Sequence, residues 1–158
     1  MTKKDVTYLV FEYLEHDLLG LSSVCINYDL SMIKCIMKQI AEGLFYLHGM
    51  NILHRDLKRK QLPLIPCKAC LPPTAANILM SGKGVLKIAD FGLSRFNNAT
   101  SNLSNRVVTL WYRAPELLYG STRYTNKIDM WSLGCIFAEL LVGFPLFAGK
   151  TSLFCYSY

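Results

Sequence analysis

Three short stretches concentrate the residues able to do chemistry. They are His54-Arg55-Asp56-Leu57-Lys58, then Asp90-Phe91-Gly92, then Ala114-Pro115-Glu116, which begins 24 residues beyond Asp90. They supply carboxylates that can accept a proton or ligate a hard divalent cation, and an ammonium that can balance anionic charge. Each tripeptide alone arises often by chance, and an isolated Asp in a loop is ordinarily a solvated turn residue or a helix cap. The information lies in their joint order and separation.

In this order and spacing the stretches match the signature set of protein kinases. The chain resembles a eukaryotic protein serine/threonine kinase of the cyclin-dependent-kinase-like family, from the hinge to the large central helix of the C-lobe. Val108-Thr109-Leu110-Trp111-Tyr112-Arg113-Ala114-Pro115-Glu116 and Tyr8-Leu9-Val10-Phe11-Glu12-Tyr13-Leu14 are similar to the cyclin-dependent kinases in particular. The resemblance covers the chain apart from residues 59–74 and Leu153–Tyr158. It implies an α+β, protein-kinase-like fold, mainly the α-helical C-lobe with a remnant of the N-lobe β-sheet and hinge. Residues 1–158 would form one partial kinase domain, with 1–19 ending the N-lobe and 20–158 an incomplete C-lobe. The implied activity is transfer of the γ-phosphate of ATP to Ser or Thr of a protein substrate, with ATP and Mg2+ as cofactors.

Phosphoryl transfer asks a protein for positioning and charge neutralisation more than for covalent chemistry. By resemblance, Asp56 orients the substrate hydroxyl and accepts its proton, and Lys58 balances charge on the moving group. Asn77 and Asp90 are oxygen donors that would hold magnesium. Thr109 would bond to the catalytic Asp and Lys. The hinge backbone at Glu12 and Leu14 would hold the adenine, with Phe11 behind it and Asp17 placed to meet the ribose. Ser104 stands where these kinases carry an activating phosphothreonine; phosphate there would gather Arg55 and Arg95. An ordinary loop serine is the competing reading. Arg113 resembles the feature associated with proline after the target Ser or Thr. Asp129 is expected to anchor the catalytic-loop backbone, and Glu116 to pair with a distant arginine.

The elements that must position these residues are legible from periodicity. Val6–Tyr13 reads as a strand. Met32, Ile33, Ile36, Met37, Ile40, Leu44, Phe45 and Leu47 fall at helical spacing, with Asp29 or Ser31 as N-cap and Gly49 near the end. Short strands are expected at Ile52–His54, Ile78–Met80 and Val85–Ile88, the last two joined by the turn Ser81-Gly82-Lys83-Gly84. A second helix is expected from Asn126 to Val142, stopped by Gly143 and apolar enough to be buried on all sides.

Composition excludes several other functions. Apolar residues make up 52% of the 158 and charged residues 18%, a globular balance. The net charge of +6 is scattered, with no basic stripe, so no nucleic-acid role is expected. The longest apolar stretch, Met130–Val142, is too short for a membrane span and contains Glu139. No targeting segment is visible, and an intracellular place in nucleus or cytoplasm is expected. Of six cysteines, Cys25, Cys35, Cys135 and Cys155 read as small buried hydrophobes. Cys67 and Cys70 make half a zinc site with no second half in sequence.

One departure stands out. The signature puts its asparagine five residues after the catalytic aspartate, whereas Asp56 and Asn77 stand 21 apart. Removing residues 59–74, rich in proline and without helix or strand period, restores a regular HRDLK-AANIL loop. Closing such a loop costs only on the order of 2–3 kcal/mol. Its ends must nevertheless meet where two alpha carbons normally lie about 3.8 Å apart, so the insertion is expected to part Asp56 from Asn77. No Gly-rich loop, VAIK-type lysine or cyclin-docking helix precedes Val6. A catalytically inactive fragment, a mis-spliced product or a partner-binding decoy, is therefore the alternative expectation, and a cyclin is a partner only for a longer parent.

Overall fold

A computed structural model describes residues 8–18, 28–59, 76–97 and 102–149. The inserted segment beyond Arg59, and Cys25, Cys67, Cys70 and Cys155, lie outside the described residues. The order of elements is β1 (His16–Asp17), α1 (Leu30–Gly49), β2 (Ile52–Leu53), β3 (Ile78–Met80), β4 (Leu86–Ile88), β5 (Arg95–Phe96), α2 (Pro115–Leu118) and α3 (Lys127–Val142). Single turns of 3-10 helix at Phe91–Leu93 and Leu110–Tyr112 follow β4 and precede α2.

Helix α1 begins where Asp29 accepts the Met32 N–H at 2.7 Å, one of the orphan donors of a first turn. Its buried residues, Ile33, Ile36, Ile40 and Leu44, recur on one face and pack against α3 and the β3–β4 hairpin. Phe45 shares the apolar spacing but points outward. Helix α3 ends at Gly143, whose φ of 84° is the left-handed cap that glycine adopts without penalty.

Two small antiparallel sheets bracket the catalytic stretches. In one, β3 lies between β1 and β4, with Asp17 opposite Leu79 and Ile78 opposite Ile88. In the other, β2 pairs with β5, with Leu53 opposite Arg95. His54 therefore follows one strand, Asn77 precedes another, and Asp90 lies two residues past a third.

Three expectations need correction. Tyr8–Tyr13 forms no strand; Val10 is 95% exposed, and no described strand lies alongside to take its backbone hydrogen bonds. Helix α3 is not buried all round, because Met130, Phe137 and Leu141 make an exposed stripe that no described residue covers. Cys35 is exposed on α1 instead of buried, while Cys135 is buried as expected. No helix among the described residues is long and apolar enough to cross a membrane.

The packing of α1 makes a direct prediction. Ile40→Ala, at a site only 1% exposed, should destabilise the chain by about 3 kcal/mol. Phe45→Ala should stay within about 0.5 kcal/mol. Urea unfolding followed by circular dichroism measures both.

Candidate active site

The site begins at the end of β2, where the chain must turn sharply to aim Asp56 at its partners. Arg55 takes a φ of 69°, a left-handed conformation that costs a non-glycine residue roughly 1–2 kcal/mol. Asp129, in the first turn of α3 and wholly buried, holds that turn. Its Oδ2 accepts the His54 N–H and its Oδ1 the Arg55 N–H, each at 2.9 Å. His48 of α1 meets the same Oδ2 at 2.9 Å through Nε2. The anchoring role read for Asp129 is what the structure shows.

Asp56 is then fixed by three side chains. Lys58 Nζ and Asn77 Nδ2 both donate to its Oδ2 at 2.9 Å, and Thr109 donates to Oδ1 at 3.1 Å. Asn77 also reaches the Asp56 carbonyl at 2.7 Å. Its backbone N–H meets the Lys58 carbonyl at 3.3 Å, and its own carbonyl accepts the Ala89 N–H at 2.9 Å. The expected parting of Asp56 from Asn77 is thus overturned. Residues 77 and 58 are joined through their backbones although they are distant in sequence, so the two flanks of the insertion meet. Among the described residues Thr109 bonds the aspartate and not Lys58, which takes the other carboxylate oxygen.

Asp90 follows β4 with a φ of 61° and accepts the Gly92 N–H at 3.2 Å. Phe91 sets its ring edge against the His54 imidazole, centroids 5.2 Å apart, and His54 Nε2 meets the Ala89 carbonyl at 3.0 Å. Burial holds the His54 imidazole below its ordinary range; the Ala89 carbonyl and nearby carboxylates oppose this less strongly. A magnesium ion would be held by Asn77 and Asp90. The donor chemistry fits: Asn77 spends its amide N–H groups on Asp56, and its Oδ1 accepts no hydrogen bond from the described residues. With an Asp90 carboxylate this would give two hard oxygen donors of the kind magnesium takes.

The other predicted residues fall in three groups. Asp17 in β1 pairs opposite Leu79, so it sits on the strand beside the one that Asn77 opens. Phe11, Glu12 and Leu14 lie in the segment without regular structure before β1. Phe11 is 80% exposed there, and the Glu12 carboxylate pairs with Lys87 of β4. Ser104 is exposed, and its carbonyl accepts the Tyr124 hydroxyl, which in turn accepts Arg55 Nη1 at 2.9 Å. Arg55 also donates through Nε to the Leu93 carbonyl at 2.7 Å, while Arg95 is exposed on β5. Arg113 Nε reaches the Val107 carbonyl at 2.9 Å, and its Nη2 the Val108 carbonyl at 2.8 Å. Val108 has a φ of 65°, unusual for a β-branched residue. Glu116 makes no ion pair among the described residues.

Sequence reasoning missed one buried cluster. Tyr112 donates to Glu139 Oε2 at 2.7 Å, and Arg59 Nη1 lies 3.5 Å from Glu139 Oε1. Burial raises the Glu139 carboxyl above its ordinary range, against the Tyr112 hydrogen bond and the Arg59 charge. Burial and the neighbouring Glu139 also raise the Tyr112 phenol. The available signal was a lone glutamate inside an apolar helix, which had to have a partner.

The chain's sequence matches the family described as protein kinase domain over residues 1–66 and 74–155. It is 49% identical over 147 residues to cyclin-dependent kinase C-2 of Arabidopsis thaliana, covering 91% of this chain and 26% of that protein. It is 44% identical over 156 residues to CTD kinase subunit alpha of Schizosaccharomyces pombe, covering 97% and 24%. The chain spans about a quarter of the length of these relatives. The solved yeast RNA Pol II CTD kinase CTDK-1 complex superposes with a TM-score of 0.76 at 41% identity, covering 90% of this chain and 42% of that one.

Two outcomes follow from the site. Asp129→Asn turns an amide N–H toward a backbone donor and should cost about 3 kcal/mol or more in urea unfolding. Neutral His54 is the folded form, so its contribution to stability is full above about pH 6.5, the value of an exposed histidine. It is lost as pH falls toward the depressed folded value. His54→Phe should flatten that limb of the stability–pH curve relative to the unaltered chain. Taking the difference between the two chains cancels Glu139, whose raised value acts in the opposite sense.

Proposed function

The chain belongs to the protein kinase family, among its cyclin-dependent-kinase-like serine/threonine kinases, and on that premise we propose that it transfers the γ-phosphate of ATP to a Ser or Thr hydroxyl. One observation carries the reading. The Asp56 carboxylate is held on both oxygens, by Lys58 and Asn77 on one side and Thr109 on the other. That is the preorganisation a general base needs to meet a substrate hydroxyl at a fixed point. Thr109 ties the loop that would receive the peptide to the base, so substrate and base are located together. Lys58 supplies the positive charge nearest the base. Asn77 and Asp90 are the residues proposed to hold magnesium, which would supply positive charge to neutralise the nucleotide phosphates.

Phe11, Glu12, Leu14 and Asp17 are the proposed nucleoside strip. The pairing of β1 with β3 supports this, since it brings Asp17 beside the strand that starts after Asn77. Arg113 and Val108 favour a proline after the phosphorylated residue. The Val108 carbonyl is already occupied by Arg113, so it offers little to a backbone N–H, and proline has none to satisfy. Ser104 is the proposed phosphorylation site of the segment before Thr109. Arg55 stands one tyrosine away from it and is buried and charged, a ready partner for phosphate. Two of the related proteins are named as CTD kinases, one of them acting on RNA Pol II. The RNA polymerase II CTD is therefore the first protein substrate to test, and a nuclear site of action goes with it. A cyclin is the proposed partner, since relatives of this chain are named cyclin-dependent kinases. The inactive-fragment reading leaned partly on separation of Asp56 from Asn77, and the two are hydrogen-bonded; its other ground was the Gly-rich loop and VAIK-type lysine not found before Val6.

Radiolabelled ATP with a Ser-Pro peptide tests this directly. The unaltered chain should transfer phosphate at a rate on the order of 10² or more above Asp56→Asn, the range for loss of a general base. Equal rates for the two, with a version lacking residues 59–74 active in the same assay, would sink the proposal for this chain.

A further inference from the structure

Arg59 is the first residue of the inserted stretch, yet it is buried in the core, 5% exposed. Its Nη1 lies 3.5 Å from Glu139 Oε1, and its guanidinium carbon sits 5.8 Å from the centroid of the Tyr28 ring. Glu139, on α3 and 5% exposed, uses its other oxygen to accept the Tyr112 hydroxyl. The Tyr112 carbonyl in turn accepts Ser132 Oγ of the same helix at 2.8 Å. Tyr112 closes the turn that follows Thr109. Glu139 therefore joins two points of the chain, one directly after Lys58 and one three residues after Thr109, and both flank the bonds that hold Asp56.

Helix α3 thus grips the catalytic loop twice, by Asp129 at its entry and by Glu139 at its exit. The exit grip is the one the insertion makes necessary. In an uninterrupted loop a few residues of continuous backbone would tie Lys58 to the asparagine. Here residues 59–76 intervene, and among the described residues the gap is spanned by the Asn77 N–H to Lys58 carbonyl bond and by the Asn77 side-chain bonds to Asp56. A buried glutamate without a cation is strongly unfavourable, whereas a paired one is tolerated. Burial of Glu139 therefore commits Arg59 to this position.

We propose that Arg59 is a positioning residue. By pairing with Glu139 it fixes the point where the chain leaves the catalytic loop, so that Lys58 and Asp56 keep their geometry whatever the inserted stretch does. The functional half of this rests on the phosphoryl-transfer reading above; the positional half does not.

The test compares the full chain with Arg59→Lys and with Arg59→Met combined with Glu139→Gln. The double variant removes the tie without stranding a buried charge, so it should fold. Two readouts are taken: hydrogen exchange of the Asn77 amide, and kcat and KM for ATP with a Ser-Pro peptide. The double variant should exchange that amide about tenfold faster and lose about tenfold in kcat, with KM for ATP within twofold. Arg59→Lys, which keeps the charge, should restore most of both. A double variant with parental melting, parental Asn77 exchange and parental kcat would overturn the proposal, as would an equal fall in stability with no change in exchange or kcat. If neither the full chain nor the version lacking residues 59–74 transfers phosphate, the phosphoryl-transfer reading fails. The exchange result then decides the role of Arg59 by itself.

Discussion

The buried carboxylate of Asp129 is the constraint on which the rest of the site depends. Two consecutive backbone N–H groups, of His54 and Arg55, point at its two oxygens. That forces Arg55 into a left-handed conformation no unsupported arginine would hold. The forced turn sends the Arg55 side chain toward Leu93 and Tyr124 and presents Asp56 to Lys58, Asn77 and Thr109. Because α3 is packed against α1 and the turn at Leu110–Tyr112, the position of Asp56 is inherited from the core.

This arrangement explains how an insertion between Lys58 and Asn77 leaves the cluster intact. Loop entropy was never the obstacle, since closing such a loop costs little. The obstacle was geometry, and it is met by securing each flank independently. His54 and Arg55 are held by Asp129, and Arg59 by Glu139. Asn77 is held from the other direction by β3, by Ala89 and by its bonds to Asp56. Each flank has its own anchor in the core.

Much of this was legible in the sequence, for reasons that can be traced to residues. The helix from Leu30 to Gly49 announced itself through period and cap, and the β3–β4 hairpin through a glycine-bearing turn between two apolar pieces. The membership of Asp56, Lys58, Asn77 and Thr109 in one site came from motif order alone. What was illegible depended on partners far away in the chain. Tyr8–Tyr13 has the composition of a strand, but a strand exists only where a neighbour takes its hydrogen bonds, and composition does not reveal the neighbour. The apolar run of α3 predicted burial on every side, whereas its Met130–Phe137–Leu141 stripe is uncovered among the described residues. Arg59 looked like the start of a foreign segment because nothing local ties it to Glu139, which is distant in sequence.

The central claim is that Asp56 and Asn77 remain bonded across the insertion, and a double-mutant cycle measures that bond without reference to activity. Unfolding free energies of the unaltered chain, Asp56→Ala, Asn77→Ala and the double variant give the coupling between the two side chains. Residues in direct hydrogen-bond contact should couple by about 1 kcal/mol or more. Additive effects, with coupling within the roughly 0.3 kcal/mol seen for independent sites, would contradict the account.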